Sequence, residues 1–317
     1  MILIISQDYD RSTFEICKWL KSFNKSYLIL LDTDVISLVK LNARSIILKN
    51  VSRNYIFDIT EIKKIFFRRG GINFFNINFT NIKDNHFKIF LSQENFTILD
   101  SIYKLIPKEL WIGSPLKADL NKIVVLYSAL NFSLKVPDFI VTSDKKELIN
   151  FIKKHNEIIS KTILPGVSFQ RKDYVHTSNT EIFNKQDLKN LNNNFHPTFF
   201  QKYIQKKYEI RSFYFQNNFY SIAIFSQFNR NTKVDYRNYT NKTPNRSIVF
   251  KLPSKIENKL KMLIFELKLD YCSIDLIYSI ENEFYFLEIN PIGQFGNVSY
   301  SGNYYIEKLI ANELKDN

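Results

Sequence analysis

Tyr271-Cys-Ser-Ile-Asp-Leu-Ile-Tyr-Ser-Ile-Glu-Asn-Glu-Phe-Tyr-Phe-Leu-Glu-Ile-Asn-Pro291 holds two apolar runs joined by a polar pair. Ser273 to Ile280 and Glu283 to Ile289 read as the strands of a hairpin around Glu281-Asn282. With residues 280 and 283 paired across that loop, Asp275 lies directly opposite Glu288. Alternation along an extended strand puts Asn290 on the face of Glu288. Three oxygen-bearing side chains then converge. Two carboxylates opposed on a sheet repel each other. A hard divalent cation relieves that repulsion, and an oxygen-only ligand set suits magnesium. The plainer reading is a solvated sheet face with incidental acids. Ile274, Leu276, Phe286, Leu287 and Ile289 weigh against it, because they make the acids project from a buried hairpin.

Upstream of this hairpin, Arg211 to Phe215 and Phe219 to Phe225 predict another, turning around Asn217-Asn218. Arg211 is expected to start its strand and to share a face with Phe213 and Phe215. Helices are expected over 254–267 and 304–315. Further back, 119–132 reads as a helix with Leu120, Val124, Tyr127 and Leu130 on one side, stopped by Val136-Pro137. Phe139-Ile-Val141 is a short strand, and 144–155 is a helix with an aspartate at its start. Ile158 to Leu164 reads as a strand carrying Lys161, and Ser168 to Asn179 as a basic hairpin or loop.

The chain opens with a strand over 2–6, a helix over 11–22 and a strand from Tyr27 to Leu31, the start of a parallel α/β unit. Short strands around 44–48 and 54–57 and the segment Ile65 to Gly71 complete it. The first turn, Gln7-Asp-Tyr-Asp-Arg-Ser12, lacks the glycine fingerprint of a dinucleotide site, so no nicotinamide or flavin is placed there. The expected division is an α/β domain over 1–105, a central segment over 106–195 and an α+β segment over 196–317 that carries the acids.

Composition bounds the function. The 317 residues are 45% hydrophobic and 24% charged, which excludes disorder as the main state. Two cysteines, Cys17 and Cys272, can build neither a disulfide framework nor a zinc cluster and read as small buried hydrophobes. The formal charge of +13 suits an anionic partner. Codon bias toward Ile, Asn, Lys, Phe and Tyr explains it equally well, and no basic arm stands out. No signal-peptide pattern and no run near the roughly 20 apolar residues of a membrane span appears. The expectation is a cytoplasmic protein with neither membrane nor nucleic acid as partner. Four histidines (His86, His155, His176 and His196) come with no plausible catalytic partner in the sequence.

Phe286-Leu-Glu-Ile-Asn-Pro-Ile-Gly-Gln-Phe-Gly296 resembles the metal-binding strand of ATP-grasp enzymes. Its extension Pro291-Ile-Gly-Gln-Phe295 looks like the branch that modifies ribosomal peptides: the graspetide, or microviridin-type, ligases, and among them the grasp-with-spasm systems. Ile65-Phe-Phe-Arg-Arg-Gly70, Asn121-Lys122 with Val136-Pro137, Gln201-Lys-Tyr-Ile204, Glu209-Ile-Arg211 and Val234-Asp-Tyr-Arg237 resemble further motifs of that branch, in the expected order. The likeness spans nearly the whole chain.

The resemblance implies an ATP-grasp fold behind a Rossmann-like N-terminal domain, with ATP and two Mg2+ ions as cofactors. It implies a homodimer acting on a ribosomal precursor peptide with a leader and an acidic core. By this likeness Asp275, Glu288 and Asn290 hold metal, and Lys122 and Lys161 meet phosphate. Gln201, Lys202, Tyr203 and Ile204 line the adenine site, and Glu209 meets ribose. Arg211, Asp235, Arg237 and Arg246 stand on the acceptor side, where a peptide carboxylate becomes an acyl phosphate and a Ser or Thr hydroxyl, or a Lys amine, closes a ring. The hairpin 211–225 is the implied leader-docking element. Residues 165–179 depart from the glycine-rich lid of many ATP-grasp enzymes: they hold only Gly166 and are basic, with Arg171 and Lys172 placed to clamp phosphate or meet an acidic peptide. Other ATP-grasp carboxylate–amine ligases and a basic nucleic-acid-binding protein are the competing readings.

Overall fold

The computed structural model describes residues 1–74, 82–164, 168–171, 174–177, 180–227, 234 and 245–315. They form two compact units. Residues 1–119, 269–271 and 294–317 make the first, and 120–268 with 272–293 make the second.

The first unit begins with β1 (Ile2–Ser6), α1 (Arg11–Ser22), β2 (Tyr27–Leu31), β3 (Ile36–Leu41), β4 (Ile46–Asn50), β5 (Tyr55–Asp58), β6 (Lys64–Phe67), α2 (Asn85–Leu105) and β7 (Trp111–Ile112). A parallel sheet runs in the order β2-β1-β6-β7. β1 lies inside it with every residue buried, which is why its sequence is an unbroken apolar run rather than an alternation. Parallel neighbours need a crossover, and α1 supplies the first.

β3, β4 and β5 form a separate antiparallel sheet. β3 escaped the sequence reading because its C-terminal half, with Val39 and Leu41, is exposed and shows no clean alternation. α2 escaped it too. Only Ile102 of that helix is buried, while Phe87, Ile89, Phe90 and Phe96 are exposed, so no single apolar stripe announces it.

The second unit continues with α3 (Lys122–Asn131), β8 (Phe139–Asp144), α4 (Lys145–His155), β9 (Ile158–Ser160), β10 (Ser168–Arg171), β11 (Tyr174–Thr177), β12 (Glu181–Phe183), α5 (Lys185–Asn190) and β13 (Asn194–Lys202). Then come β14 (Lys206–Phe215), β15 (Asn218–Phe225), β16 (Arg246–Phe250), α6 (Ser254–Glu266), β17 (Tyr271–Ser279) and β18 (Phe284–Asn290). Two main sheets result, β12-β9-β13-β8 and β16-β15-β14-β17-β18, with β10-β11 as a separate hairpin. The chain ends in the first unit with α7 (Gly296–Gly302) and α8 (Ile306–Lys315). α8 buries Ile306, Ile310, Ala311 and Leu314 at helical spacing and packs on α1.

Four local expectations need correction. The strand expected over 158–164 ends at Ser160, because β13 pairs with β9 only through residues 200–202. Arg211 sits in the middle of β14 rather than at its start. The turn between β14 and β15 is Gln216-Asn217, both at positive φ (48° and 61°), and Asn218 already pairs with Phe215. Two left-handed residues in a two-residue loop match the right-handed twist of the flanking strands. In α3 the buried residues are Val125, Leu126 and Ala129, whereas Val124, Tyr127 and Leu130 face out. That helix is apolar nearly all round, so periodicity alone picked the wrong side.

Both cysteines are free and buried, and burial pushes their thiols above the ordinary value. Asp10 caps α1 by accepting from the Thr13 N–H at 2.9 Å, and it also faces Arg68 and Arg69 at 3.5 and 3.3 Å. The two arginines of the Ile65 to Gly70 motif are thus neutralised in part inside the first unit.

Gly113 follows β7 at a φ of +76°, its N–H donating to the Asp270 carboxylate at 3.1 Å. A Cβ there would stand 2.7 Å from the Phe67 carbonyl oxygen and from Tyr271 Cε1. The Tyr271 hydroxyl donates to that same carbonyl at 2.6 Å, its pKa pushed up to about 12 by burial. Gly113→Ala should therefore cost about 1–3 kcal/mol through left-handed strain and overpacking. Urea unfolding followed by Tyr and Trp fluorescence checks this; an unchanged midpoint would rule out the close approach.

Candidate active site

A cleft opens within the second unit. Lys122, Lys161, Gln201, Lys202, Tyr203, Ile204, Glu209, Asp275 and Glu288 all line it. Nine of the fourteen residues singled out from the sequence therefore meet in one place.

Asp275 and Glu288, both in the cleft lining, pair across β17 and β18. Ser273 pairs with Asn290, which, like Arg211, is not among the lining residues. The expected facing pair is present, by a different route. Near the turn the pairs are Leu276 with Phe286 and Tyr278 with Phe284, one residue out of the expected register. The loop holds three residues, Ile280 to Asn282, with Asn282 in the left-handed region that such loops use. A bulge at Leu287 then restores the offset. Two one-residue departures cancel before Glu288.

Each acid has a cation. Lys122 Nζ lies 3.1 Å from Glu288 Oε2, and Arg211 Nη1 lies 2.5 Å from Asp275 Oδ2. Lys122 is the first residue of α3, capped by Asn121, whose side chain accepts from the Ile123 and Val124 N–H groups. It shares a helix face with Leu126 and Ala129 at i, i+4 and i+7, so the buried side of α3 carries it inward toward β18. Arg211 reaches Asp275 from β14, the neighbour of β17. Asn290 Oδ1 accepts from the Ile292 N–H at 3.2 Å, which fixes its rotamer and leaves a second lone pair.

These donors fit a hard oxygen-seeking ion that keeps some of its water. Among the described residues no three of His, Cys, Asp or Glu cluster as a metal site; the facing acids here are two, Asp275 and Glu288.

Elsewhere in the cleft the connection from β13 to β14 is held by its own backbone. The Lys202 N–H donates to the Asp138 carbonyl at 2.7 Å and the Tyr203 N–H to the Glu157 carbonyl at 3.0 Å. Gln201 is fully buried, and its Nε2 faces the Pro137 carbonyl at 3.5 Å. That carbonyl can only accept, so the amide is oriented with Oε1 the other way, and this oxygen has no hydrogen-bond partner. Burial pushes the Tyr203 phenol up, aided by the Glu157 and Glu209 carboxylates. Lys161 lies just past β9 with its ammonium 5.5 Å from the Phe199 ring centroid.

Lys206 went unread in the sequence. It is buried and paired with buried Glu209, and it donates to the Val234 carbonyl at 2.9 Å. Of the two adjacent lysines, Lys206 and Lys207, only the second is exposed. The available signal was Glu209 three residues on, flanked by Ile204 and Ile210. Glu209 is an interior acid.

Arg246 does not join the cleft lining. It is exposed at the start of β16, its guanidinium 6.0 Å from the Phe225 ring centroid. Asp235, Arg237 and Lys172 lie outside the described residues. His155 has a neighbour after all, Asp138 at 3.3 Å. The hairpin formed by β14 and β15 is interior to its sheet, flanked by β17 and β16, so neither of its edges offers room for an added strand.

Solved structures share this fold over nearly all of the chain. A RiPP-associated ATP-grasp ligase from Chryseobacterium gregarium, in complex with ADP and a leader and core peptide, is 24% identical with a TM-score of 0.85, over 99% of this chain and 96% of that one. The macrocyclase MdnC from Microcystis aeruginosa MRC, bound with precursor peptide MdnA, is 20% identical with a TM-score of 0.81, over the full length of both chains. The ATP-grasp ligase PsnB, complexed with a phosphomimetic variant of a minimal precursor, Mg and ADP, is 15% identical with a TM-score of 0.71, over 99% and 97%. No protein-family model matches the chain, and no curated protein matches its sequence. From end to end the chain has the fold of these ATP-grasp ligases.

The Lys206–Glu209 pair generates a prediction of its own. Removing one member of a buried ion pair strands the other, at about 3–5 kcal/mol. Lys206→Met should lower stability by that order, and Lys206→Met with Glu209→Gln should recover much of the loss. Denaturant titration of the four proteins measures the coupling; additive losses would show that the pair does not interact.

Proposed function

We propose that the chain is an ATP-dependent ligase that closes rings in a ribosomally made peptide. An Asp or Glu side-chain carboxylate would attack the γ-phosphate of ATP, releasing ADP. A Ser or Thr hydroxyl of the same peptide would then displace phosphate and form an ester; a Lys amine would form an amide. The observation that carries this reading is the opposed Asp275–Glu288 pair in the same cleft as the β13–β14 connection. The fold likeness to a ligase solved with ADP and a leader and core peptide supports it, as does the lower TM-score of 0.56 to the D-cycloserine synthetase DcsG.

In this reading the Lys202 carbonyl, the Ile204 N–H and the Gln201 Oε1 atom meet the adenine edge. The inward amide oxygen of Gln201 suits an amino donor there. Glu209, held by Lys206, would accept from the ribose hydroxyls. Lys122 and Lys161 would neutralise phosphate oxygens. Asp275, Glu288 and Asn290 would hold magnesium, which supplies positive charge as the phosphoryl group moves. Arg211 would bind the acceptor carboxylate with its planar fork. Arg237, oriented by Asp235, would share that task.

The test is a reaction of the protein with ATP, Mg2+ and an acidic candidate precursor, followed by nucleotide chromatography and mass spectrometry. One ADP and the loss of one water should accompany each ring. Asp275→Asn and Glu288→Gln should each lower turnover on the order of 10²–10³-fold while remaining folded. AMP as the product would mean adenylation and would overturn the acyl-phosphate route; normal turnover by Glu288→Gln would remove the metal site.

A further inference from the structure

Arg211 has two carboxylates to serve. Its Nη1 is 2.5 Å from Asp275 Oδ2, with the two side chains only 12% and 15% exposed. Charge-assisted contacts this sheltered are strong, and solvent screens them little. The same Oδ2 atom belongs to the acid pair that attracts a metal ion. A dication and a guanidinium on one carboxylate oxygen repel each other at close range. Glu288 is 28% exposed against 15% for Asp275, so the less screened competition is at Asp275.

From this geometry, and resting on the ligase reading above, we infer that Arg211 is an internal competitor of the metal at Asp275. Metal binding transfers its guanidinium from Asp275 to the carboxylate of the peptide. The exchange trades one carboxylate for another, so the hydrogen bonds lost are remade with the same chemistry. It makes metal and acceptor acid mutually reinforcing, because each favours the arrangement in which Arg211 has left Asp275. Such coupling is reciprocal: the factor by which metal tightens the acid is the factor by which the acid tightens metal. An acceptor carboxylate is then gripped best when metal and nucleotide are already in place, which disfavours idle binding of acidic peptides.

The experiment reads metal binding rather than turnover. Free Mn2+ is followed by electron paramagnetic resonance with saturating ADP, using the full chain, Arg211→Met and Arg211→Lys. A residue that merely supports the site would weaken Mn2+ binding when lost. The exchange predicts the opposite: Arg211→Met binds Mn2+ tighter, on the order of tenfold, while Arg211→Lys stays near wild type because it keeps the competing charge. Glutarate, standing in for the acceptor acid, should tighten Mn2+ binding to wild type and have no effect on Arg211→Met. Equal or weaker Mn2+ binding by folded Arg211→Met overturns the exchange and leaves the ligase reading intact. If ADP brings no Mn2+ to the wild-type chain, the nucleotide–metal reading falls and the exchange with it. Should Arg211→Met fail to fold, the glutarate titration of wild type decides, and no tightening there overturns the proposal.

Discussion

Two ionised carboxylates on directly opposed positions of an antiparallel pair repel, and nothing in a β-hairpin of itself relieves that repulsion. The second unit is arranged around this constraint. α3 presents its buried face to β18 so that a lysine at its first residue reaches Glu288. β14 lies beside β17 so that an arginine from mid-strand reaches Asp275. Remove either cation and a sheltered acid loses that ion pair. The electrostatics therefore tie together a helix start and two neighbouring strands that are far apart in sequence, and the cleft is the space these elements enclose with the β13–β14 connection.

Much of this was legible beforehand because the period-two pattern of Ser273 to Asn290 is strong and its acids interrupt an apolar context. The facing of Asp275 and Glu288 follows from that pattern, although the turn differs from the one it predicts. What could not be read was anything decided by tertiary contact. Lys206 and Lys207 are neighbours of one chemical type, yet only the first is turned inward, onto Glu209. The buried stripe of α3 was ambiguous because Val124, Val125, Leu126, Tyr127 and Leu130 offer apolar faces all round, and what it packs on makes the choice. α2 was missed for the reverse reason: its apolar residues are largely exposed and follow no stripe.

The charge of the chain also gains a local meaning. A surplus of +13 says little by itself. In the cleft, Lys122, Lys161, Lys202 and Lys206 gather with Glu209, Asp275 and Glu288, so both signs are dense there. Cations that are partly committed to the chain's own acids are held in place without being given up to bulk counter-ions. An incoming anion meets cations already paired, Lys122 with Glu288 and Lys206 with Glu209.

The bulge at Leu287 has a consequence for how this hairpin can change over time. In a strand, phase is binary: a residue is on one face or the other, and a single insertion or deletion reverses everything beyond it. Ile280 to Asn282 and Leu287 are two half-turns of phase that sum to zero at Glu288. With the same residues, a regular strand at Leu287 behind the three-residue loop would set Glu288 opposite Ile274 and swing it and Asn290 to the other face. A two-residue loop, Glu281-Asn282, with no bulge would leave the acids facing each other at the same hairpin length. At constant length between the two acids, the loop and the bulge therefore change as one trait. A relative with a two-residue loop and the same number of residues between the acids should lack the bulge.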